Sequence, residues 1–385
     1  MVERSKCMNV PELRFKGLDK TWNKKTLDEL VQLNSGMDYK HLCNGNIPVY
    51  GTGGYMLSVN AALSYDKDAI GIGRKGTINK PYILKAPFWT VDTLFYAIPR
   101  KYNNLQFCNC LFQRIDWLKY DESTGVPSLS KNIINSIEIN CAPSYDEQQK
   151  IASYFQSLDS LIQSISKKLV SLKQIKAASL QSMFPQEGET VPKVRFKGFE
   201  GEWEEKSFST LYKKSIIKND LTFGTDKIIS VANMYYLTNV NVSDLEYLKT
   251  YNIMKLGDIA FEGNKSKRFL HGRFVENTIG DGIVSHVFVV FHPISAEHDI
   301  NYWKYAINNE NIMRNVLIRC TKSSTMMTDL VVDDFLKETI LVPSYAEQQK
   351  IGAYFRNIDQ QISLQTQRLE KLKQIKAACL DKMFV

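Results

Sequence analysis

The strongest constraint on the fold of this chain is an internal repeat that frames two halves of the sequence. Three pairs of segments match: "PELRFKGLDKTW" (11–22) and "PKVRFKGFEGEW" (192–203), "PSYDEQQKIASYF" (143–155) and "PSYAEQQKIGAYF" (343–355), "LKQIKAASLQSMF" (172–184) and "LKQIKAACLDKMF" (372–384). The first pair is offset by 181 residues and the other two by 200. Because the residues between these segments differ in content and length, two equivalent frames carry different inserts.

Each frame ends in a sequence that predicts a long helix. Ser144 with Glu147, and Ser344 with Glu347, have capping-box spacing, in which hydroxyl and carboxylate bind the first free backbone N–H groups. Apolar residues then alternate in the spacing typical of a coiled coil. The two seams are Ile151, Phe155, Leu158, Ile162, Ile165, Leu169 and Leu172, and Ile351, Phe355, Ile358, Ile362, Gln365, Leu369 and Leu372. About 40 residues would make a rod on the order of 60 Å long.

Each helix has one apolar seam, which another helix must cover. The other copy in the same chain is the obvious partner, and antiparallel pairing gives the two copies a shared pseudo-two-fold axis. We favour this pairing, and dimerisation with a second chain is the alternative. Gln365 replaces an apolar seam residue at the position of Ile165. A polar residue there would fix the helix register at a cost in stability, or face a partner.

The inserts predict two globular domains of mixed α/β (α+β) class. "KDAIGIGRKGTI", "FWTVDTLFYAI" and "GIVSHVFVVF" have the short β-rich runs of strands, whereas 105–119 and 300–319 have the spacing of amphipathic helices. The segment "PQEGETVP" contains two prolines and a glycine, as a linker does. The predicted order is a first globular domain (1–142), a central helix (143–184), the linker (185–192), a second globular domain (193–342) and a final helix (343–385).

Composition excludes several protein classes. The hydrophobic fraction of 44% is that of a soluble globular protein, and no apolar run is long enough to span a membrane. The first residues, "MVERSKCMNVPELRF", lack the apolar segment of a secretion signal, so we expect a cytoplasmic protein. The seven scattered cysteines favour reduced thiols, with Cys108 and Cys110 packed in a helix rather than at a zinc site. The net charge of +8 is compatible with a nucleic-acid partner.

The stretch "AIGIGRKGTINKPY" (69–82) contains a possible dinucleotide fingerprint. Gly71, Gly73 and Gly76 fit G-x-G-x-x-G, but a dinucleotide site needs a helix directly after the glycines. Thr77 favours extended structure and Pro81 prevents a helix from starting. The glycines therefore predict a strand that runs into a loop, and the sequence predicts no cofactor.

Both halves contain such a strand followed by a loop with basic residues. Arginine and lysine on loops suit contacts with phosphates and guanine, although a solvated hairpin tip is the alternative. Two polar stretches, "ESTG" (122–125) and "KSST" (322–325), occupy equivalent places ahead of the helices and are otherwise ordinary turns. The candidate DNA-binding residues are Arg74, Lys75, Gly76, Lys80, Ser123 and Thr124 in the first half, and Asn264, Lys265, Lys267, Arg268, Lys322, Ser323 and Ser324 in the second.

The sequence has few marks of catalysis. It contains no P-loop, no H-E-x-x-H, no G-x-S-x-G, no N-P-P-[FY] methyltransferase motif and no convincing nuclease cluster of the P-D…[DE]-x-K type. The five histidines lack metal-like spacing, apart from His286 and His292, which lie at the two ends of a strand-like run and which we interpret as structural. These absences favour a non-catalytic protein without a metal site.

The duplicated motifs resemble the specificity (S) subunit of bacterial type I restriction-modification systems. The resemblance lies in the P-x-x-x-E-Q-x-x-I helix starts, in the "RFKG…W" segments and in "GIGRKGTI", and it covers nearly the whole chain. The residues that carry it are Pro143, Glu147, Gln148, Gln149 and Ile151, Pro343, Glu347, Gln348, Gln349 and Ile351, Arg14, Phe15, Lys16, Gly17 and Trp22, and Arg195, Phe196, Lys197, Gly198 and Trp203.

The resemblance implies that each globular domain is a target recognition domain for one half of a bipartite double-stranded DNA sequence. It also implies that the helices form an antiparallel coiled coil, which sets the gap between the half-sites and docks two methyltransferase (M) subunits. Restriction (R) subunits would complete the complex. The residues assigned to the coiled coil and to partner binding are Ile151, Phe155, Leu158, Ile162, Ile351, Phe355, Ile358 and Ile362.

Two other functions compete with this interpretation. A self-sufficient DNA nuclease or methyltransferase with unrecognised motifs would modify DNA unaided. A structural coiled-coil scaffold would have no affinity for DNA beyond a salt-labile background. The two different inserts argue against the scaffold, since a scaffold needs no such variety.

Overall fold

The structure is a computed structural model that describes residues 9–238, 240, 244–267, 269–323 and 327–385. The chain divides into two compact units. Unit 1 contains Met1–Lys167 and Thr366–Val385, and unit 2 contains Lys168–Gln365. Each unit therefore combines a globular domain with part of each long helix.

The globular domain of unit 1 is built mainly from antiparallel strands. Its strands are β1 (Asn23–Thr26), β2 (Val31–Ser35), β3 (Asn44–Gly51), β4 (Gly54–Val59), β5 (Ala69–Gly73), β6 (Tyr82–Leu84), β7 (Trp89–Thr90), β8 (Leu94–Pro99) and β9 (Glu138–Cys141). Its short helices are α1 (Leu27–Leu30), α2 (Leu105–Arg114), a 3-10 turn (Trp117–Tyr120) and α3 (Lys131–Ser136). The long helix α4 (Tyr145–Ser182) follows.

A four-stranded sheet in the order β2-β8-β5-β6 forms the centre of unit 1. All five residues of β5, "AIGIG", are buried, as expected for a strand between two neighbours with both faces covered. The sheet packs against α2, which begins where the side chain of Asn104 accepts hydrogen bonds from two backbone N–H groups. Smaller sheets pair β1 with β9 and arrange β4-β3-β7.

Unit 2 repeats this arrangement with different loops. Its strands are β10 (Glu204–Ser207), β11 (Tyr212–Lys214), β12 (Ile229–Ser230), β13 (Tyr235–Tyr236), β14 (Asn252–Met254), β15 (Ile259–Glu262), β16 (Arg273–Glu276), β17 (Gly282–Val284), β18 (Val289–Pro293), β19 (Thr321–Ser323), β20 (Thr328–Leu330) and β21 (Thr339–Val342). Its helices are α5 (Phe208–Leu211), α6 (Ile300–Ala306), α7 (Glu310–Cys320), α8 (Val332–Lys337) and α9 (Tyr345–Lys382), with 3-10 turns at Thr225–Lys227 and Leu245–Thr250.

The central sheet of unit 2 has the order β11-β18-β15-β16, which is the order of the unit 1 sheet element for element. The pair β10–β21 likewise corresponds to β1–β9. The sheet edges are equivalent too, since Val31 pairs with Pro99 in unit 1 and Tyr212 pairs with Pro293 in unit 2. The mixed α/β class predicted from the inserts is confirmed, and so are the two equivalent domains predicted from the internal repeat.

The two long helices pair antiparallel within each unit. In unit 1, Lys376 Nζ lies 2.6 Å from Asp159 Oδ1, and Tyr154 Oη lies 3.3 Å from Cys379 Sγ. In unit 2, Lys176 Nζ lies 2.6 Å from Asp359 Oδ1, and the hydroxyls of Ser179 and Tyr354 lie 2.9 Å apart. Because the residue number falls along one helix as it rises along the other, the predicted antiparallel direction is confirmed in both units.

The end of each long helix closes the core of a globular domain. In unit 1, Phe384 is 3% exposed and its ring centroid lies 5.7 Å from that of Trp22, 5.5 Å from Phe107 and 6.0 Å from Phe155. In unit 2, Phe184 lies equivalently against Trp203, Tyr302 and Phe355. The repeated "MF" at the end of each frame is therefore part of a hydrophobic core.

A buried ion pair connects the first segment of each frame to the start of its long helix. In unit 1, Arg14 donates from Nε and one terminal nitrogen to the two oxygens of Glu147, at 2.7 and 2.8 Å, and Trp22 Nε1 donates to Glu147 Oε1 at 3.0 Å. In unit 2, Arg195 binds both oxygens of Glu347 in the same way. These two motifs of each frame thus form one structural lock.

This lock corrects the capping-box prediction. The hydroxyl of Ser144 accepts a hydrogen bond from the backbone N–H of Glu147, as predicted, but the Glu147 carboxylate binds Arg14 instead of the backbone at the helix start. The same holds for Ser344 and Glu347. The carboxylates are used in tertiary contact because the arginine offers a charged bidentate partner in a nearly dry site.

The glutamine after each of these glutamates holds a second helix in place. Gln148 Oε1 accepts the backbone N–H of Asn104, the residue that caps α2, at 2.9 Å. Gln348 Oε1 accepts the equivalent N–H of Asp299, the residue that caps α6, at 3.4 Å. The E-Q pair of the repeated motif therefore has a structural function in both units.

The cysteines of α2 lie where the sequence predicted them. Within the described part of the chain, Cys108 and Cys110 are free thiols buried in α2, as predicted. No helix of the described residues is both long enough and apolar enough to cross a membrane.

Candidate nucleic-acid interface

The glycines of the first candidate loop shape a tight turn between two strands. A Cβ added at Gly73 would lie only 2.1 Å from the carbonyl oxygen of Thr77, and Gly76 has a φ of +90°. Only glycine fits such a close approach or such a dihedral angle without strain. The loop leads from β5 into the antiparallel strand β6, as the sequence predicted.

The structure brings this loop together with the polar stretch that precedes α3. The backbone N–H of Gly76 donates to Pro127, and that of Leu129 donates to Arg74, each at 2.8 Å. A cleft of about 620 Å³ lies beside this contact. Its lining, called here the unit 1 cleft, consists of Ser35, Arg74, Lys75, Asp92, Thr93, Phe95, Glu122, Ser128, Leu129, Ser130 and Lys131.

Arg74 is held at the mouth of the unit 1 cleft with its guanidinium exposed. The guanidinium carbon lies 5.8 Å from the centroid of the Phe95 ring, and one terminal nitrogen donates to the carbonyl of Asp92 at 3.4 Å. An aromatic face beside a guanidinium limits its orientations and leaves its edge free for a planar acceptor. Lys75 is also exposed in the cleft, whereas Lys80 is exposed further along the loop and does not line it.

The "ESTG" stretch is folded around a carboxylate that sequence reasoning missed. Asp121 Oδ1 accepts the backbone N–H of Ser128 at 2.9 Å and both the N–H and the hydroxyl of Ser123 at 3.0 and 2.9 Å. These bonds, that from Ser128 first, hold the pKa of Asp121 below its ordinary value. The Ser123 hydroxyl is therefore engaged inside the protein, whereas Thr124 is exposed.

In unit 2 a corresponding contact joins the second candidate loop to the hairpin β19–β20. The backbone N–H of Thr328 donates to Gly263 at 2.8 Å, and Asn264 forms a bridge with Met327. A Cβ at Gly263 would lie 2.2 Å from the Thr328 carbonyl oxygen, so this position also requires glycine. The loop therefore contacts β20, the strand that pairs with Lys322 of the "KSST" stretch.

The candidate residues of unit 2 are mostly exposed around this contact. Asn264 and Lys267 are exposed in the loop, Lys265 is half-buried, and Lys322 is exposed in β19, where it pairs with Asp329. Arg268, Ser324 and the side chain of Ser323 lie outside the described residues. Sequence reasoning missed Arg273, whose guanidinium carbon lies 4.8 Å from the Phe269 ring while its Nε donates to Glu262 at 2.7 Å.

The predicted seam residues occupy two environments. Ile151 and Phe155 lie in the core of unit 1, and Ile351 and Phe355 lie in the core of unit 2. Ile358 is buried, whereas Leu158, Ile162 and Ile362 are half-buried. Gln365 is half-buried too.

A metal centre needs several ligands close together. Across the ranges that the structure describes, no three histidine, cysteine, aspartate or glutamate side chains are grouped so that they could hold a metal ion. The arrangement offers exposed basic and amide groups at the ends of rigid strands, which suits binding.

Comparison with known proteins decides the family. The family model described as the type I restriction modification DNA specificity domain matches residues 19–174 and again residues 200–374. The chain belongs to the type I restriction-modification DNA specificity family. The two matched segments are the two halves defined by the internal repeat, so the resemblance inferred from the duplicated motifs is confirmed.

One solved structure of this family shows the same fold as the chain. The crystal structure of a type I restriction-modification S subunit from M. genitalium matches with a TM-score of 0.66 at 13% identity, covering 98% of this chain and 99% of that one. The HsdS subunit from Thermoanaerobacter tengcongensis matches with a TM-score of 0.43 at 15% identity, covering 94% and 96%. No curated protein sequence matches the chain closely enough to count as a relative.

Proposed function

We propose that this chain is the non-catalytic DNA-reading subunit of a type I restriction-modification complex, and that each unit reads one half of a bipartite duplex target. One observation carries the proposal. The same sheet order, β2-β8-β5-β6 and β11-β18-β15-β16, ends in differently composed loops. Exposed Arg74 and Lys75 lie in one, and exposed Asn264 and Lys267 lie in the other. Two equivalent scaffolds with different exposed groups suit the recognition of two different half-sites.

The chemistry of the exposed groups supports base reading as well as backbone contact. An arginine beside an aromatic ring, like Arg74, can donate two parallel hydrogen bonds to a guanine edge in the major groove. Lysines such as Lys75, Lys80, Lys267 and Lys322 suit phosphates, which fix position without reading sequence. The net charge of +8 favours the approach of a polyanion.

A second part of the proposal is that α4 and α9 hold the two half-sites at a fixed spacing and dock two methyltransferase subunits. The segment "KQIKAA" is identical at 173–178 and 373–378. In both copies the lysine at its fourth position binds an aspartate of the opposite helix, and the other five residues are exposed. Because internal packing does not need those exposed residues, their identity supports two copies of one partner.

We expect Arg74→Ala combined with Lys75→Ala to weaken specific DNA binding by about 10- to 100-fold, since one base contact and one phosphate contact are lost. The DNA duplex would carry the split motif whose adenine is N6-methylated in the host and unmethylated after deletion of the gene. The assembled complex would be titrated with this duplex. The slope of affinity against salt should also fall by about one unit.

Lys40→Ala combined with Lys67→Ala is the matched control for this binding experiment. Both lysines are exposed in unit 1 and neither lines the unit 1 cleft. The control should retain most of the affinity. If the cleft variant binds with wild-type affinity and salt slope, the loop after β5 is not part of the interface.

For the docking surface, we expect Ile175→Asp combined with Ile375→Asp to weaken methyltransferase binding by at least about 30-fold, because a charge would enter an apolar contact in both copies. Ile175 is 48% exposed and Ile375 is 37% exposed, so the chain itself should remain folded. The measurement is co-purification of the two proteins, with circular dichroism to check folding.

Leu161→Asp is the control for docking. Leu161 is a 37% exposed apolar residue of α4, but the repeat has Gln361 at the equivalent position, so an identical partner should not need it. Normal co-purification of the Ile175 and Ile375 variant would remove this face from the docking proposal.

A further inference from the structure

A pocket of about 1030 Å³ in unit 2 has no part in the proposed reading of DNA. It lies between three segments: the strand β10 with the residues before it, the loop after β18, and the start of α9. Its lining includes Glu200, Glu202, Glu204, Glu205 and Glu297, and we call it the acidic pocket. Carboxylates of this number repel a phosphate backbone, so nucleic acid is a poor occupant.

Several of these carboxylates are available to a ligand. Glu204 is paired with Lys206 at 3.1 Å, and Glu205 accepts the Thr339 hydroxyl at 2.7 Å. Glu200, Glu202 and Glu297 are exposed and have no ion-pair partner among the described residues. Two further basic residues line the pocket: Arg195 is paired with Glu347, and His298 Nε2 lies 2.9 Å from Glu276 Oε1.

Aromatic groups and a buried donor line the same pocket. Phe199 and Tyr345 contribute ring surface, which attracts cations as well as apolar groups. Trp203 also lines it, is only 4% exposed, and its Nε1 has no hydrogen-bond partner. A buried N–H without an acceptor is unfavourable, so a ligand oxygen that reached this atom would be stabilised.

The equivalent surface of unit 1 is an internal control, because the repeat offers the same backbone with different side chains. Trp22, the counterpart of Trp203, already donates to Glu147 at 3.0 Å. The positions of Glu202 and Glu205 are Thr21 and Lys24 in unit 1. The loop after β8 begins with Arg100 and Lys101, whereas the loop after β18 contains Glu297. This surface is therefore acidic in unit 2 and basic in unit 1. Of the two equivalent tryptophans, Trp203 has an indole N–H without an acceptor and Trp22 does not.

We propose that the acidic pocket binds a lysine- and arginine-rich segment of a protein partner, one segment per chain. Its carboxylates and aromatic rings suit ammonium and guanidinium groups, and Trp203 Nε1 suits a backbone carbonyl of the same segment. The concave shape fits a protruding peptide. Since unit 1 lacks these features, such a partner would bind to unit 2 and not to unit 1. The inference goes beyond the proposed DNA reading and does not depend on it.

The test uses the full chain and a short fluorescein-labelled peptide in which lysine and arginine alternate with glycine. Fluorescence anisotropy should show binding of this peptide and none of the matched glutamate peptide. Combining Glu200→Gln, Glu202→Gln and Glu297→Gln should weaken binding about tenfold. Trp203→Phe, which keeps an aromatic ring but removes the indole N–H, should weaken it about fivefold. Asp19→Asn, at the unit 1 position equivalent to Glu200, should leave it unchanged.

Three outcomes would overturn the proposal. In the first, the triple variant binds the basic peptide as tightly as wild type. In the second, Asp19→Asn weakens binding as much as the triple variant does. In the third, the chain self-associates, the triple variant abolishes that association and the peptide does not compete, which would identify a second copy as the occupant. DNA binding of the triple variant is measured in parallel and should be retained, so failure here is separable from failure of the DNA-reading proposal.

Discussion

Arg14→Ala is expected to lower the free energy of unfolding by about 3–5 kcal/mol, the range for breaking one side of a buried ion pair. The side chains of Arg14 and Glu147 are only 10% and 1% exposed. Without the guanidinium, the Glu147 carboxylate would stay buried with the N–H of Trp22 as its main remaining donor. Urea unfolding followed by circular dichroism measures the loss.

Two matched variants make this result interpretable. Lys24→Ala removes an ion pair with Glu138 in which both side chains are more than half exposed, and it should cost less than about 1 kcal/mol. Arg195→Ala removes the equivalent buried pair in unit 2 and should cost about as much as Arg14→Ala. A loss for Arg14→Ala no larger than that for Lys24→Ala would mean that the lock contributes little to stability.

Phe384→Ala should be as damaging, with a loss of about 3–5 kcal/mol, because a large ring leaves a packed core and a cavity remains. The ring packs against Trp22, Phe107 and Phe155, so three aromatic contacts disappear together. The expected observation is a lower midpoint of urea unfolding, with the equivalent variant Phe184→Ala showing a similar shift through the core of unit 2.

The neighbouring residue provides the control for Phe384. Val385 is 38% exposed, so Val385→Ala should change stability by no more than about 0.5 kcal/mol. Wild-type stability of Phe384→Ala would show that the end of α9 is not part of a cooperative core.

Repetition made most of this architecture predictable from the sequence. Similar segments in the same order fold alike. Two equivalent domains were therefore predicted from the matching segments at 11–22 and 192–203, and at 143–155 and 343–355. Heptad spacing predicted the helices, and the pseudo-two-fold axis that relates the two copies favoured their antiparallel pairing. The same repeat also contains residues that indicate how the two helices pair. Aspartates at 159 and 359 and lysines at 176 and 376 are identical in both copies, and they form the interhelical ion pairs.

The binding surfaces were less predictable because their parts come from distant segments. Arg74 was identified from its loop, but its aromatic support, Phe95, lies on another strand, and no local pattern connects the two. The capping-box rule pairs the Glu147 carboxylate with a nearby backbone N–H, whereas in the structure it pairs with the distant Arg14. A charged bidentate ion pair is stronger than a hydrogen bond to one backbone N–H. By contrast, the D-x-S spacing of Asp121 and Ser123 is typical of a local turn and would have predicted that hydrogen bond.

The position of Phe384 also determines the order in which the two units can be completed during synthesis. Unit 2 is one continuous stretch, Lys168–Gln365, with Met183 and Phe184 already inside it. The core of unit 1 needs Cys379, Met383 and Phe384, which the ribosome adds more than 200 residues after the rest of that core has been made. The usual order, in which the first domain folds first, is therefore reversed. A nascent chain that stops before residue 379 would have a closed second domain and an open first one.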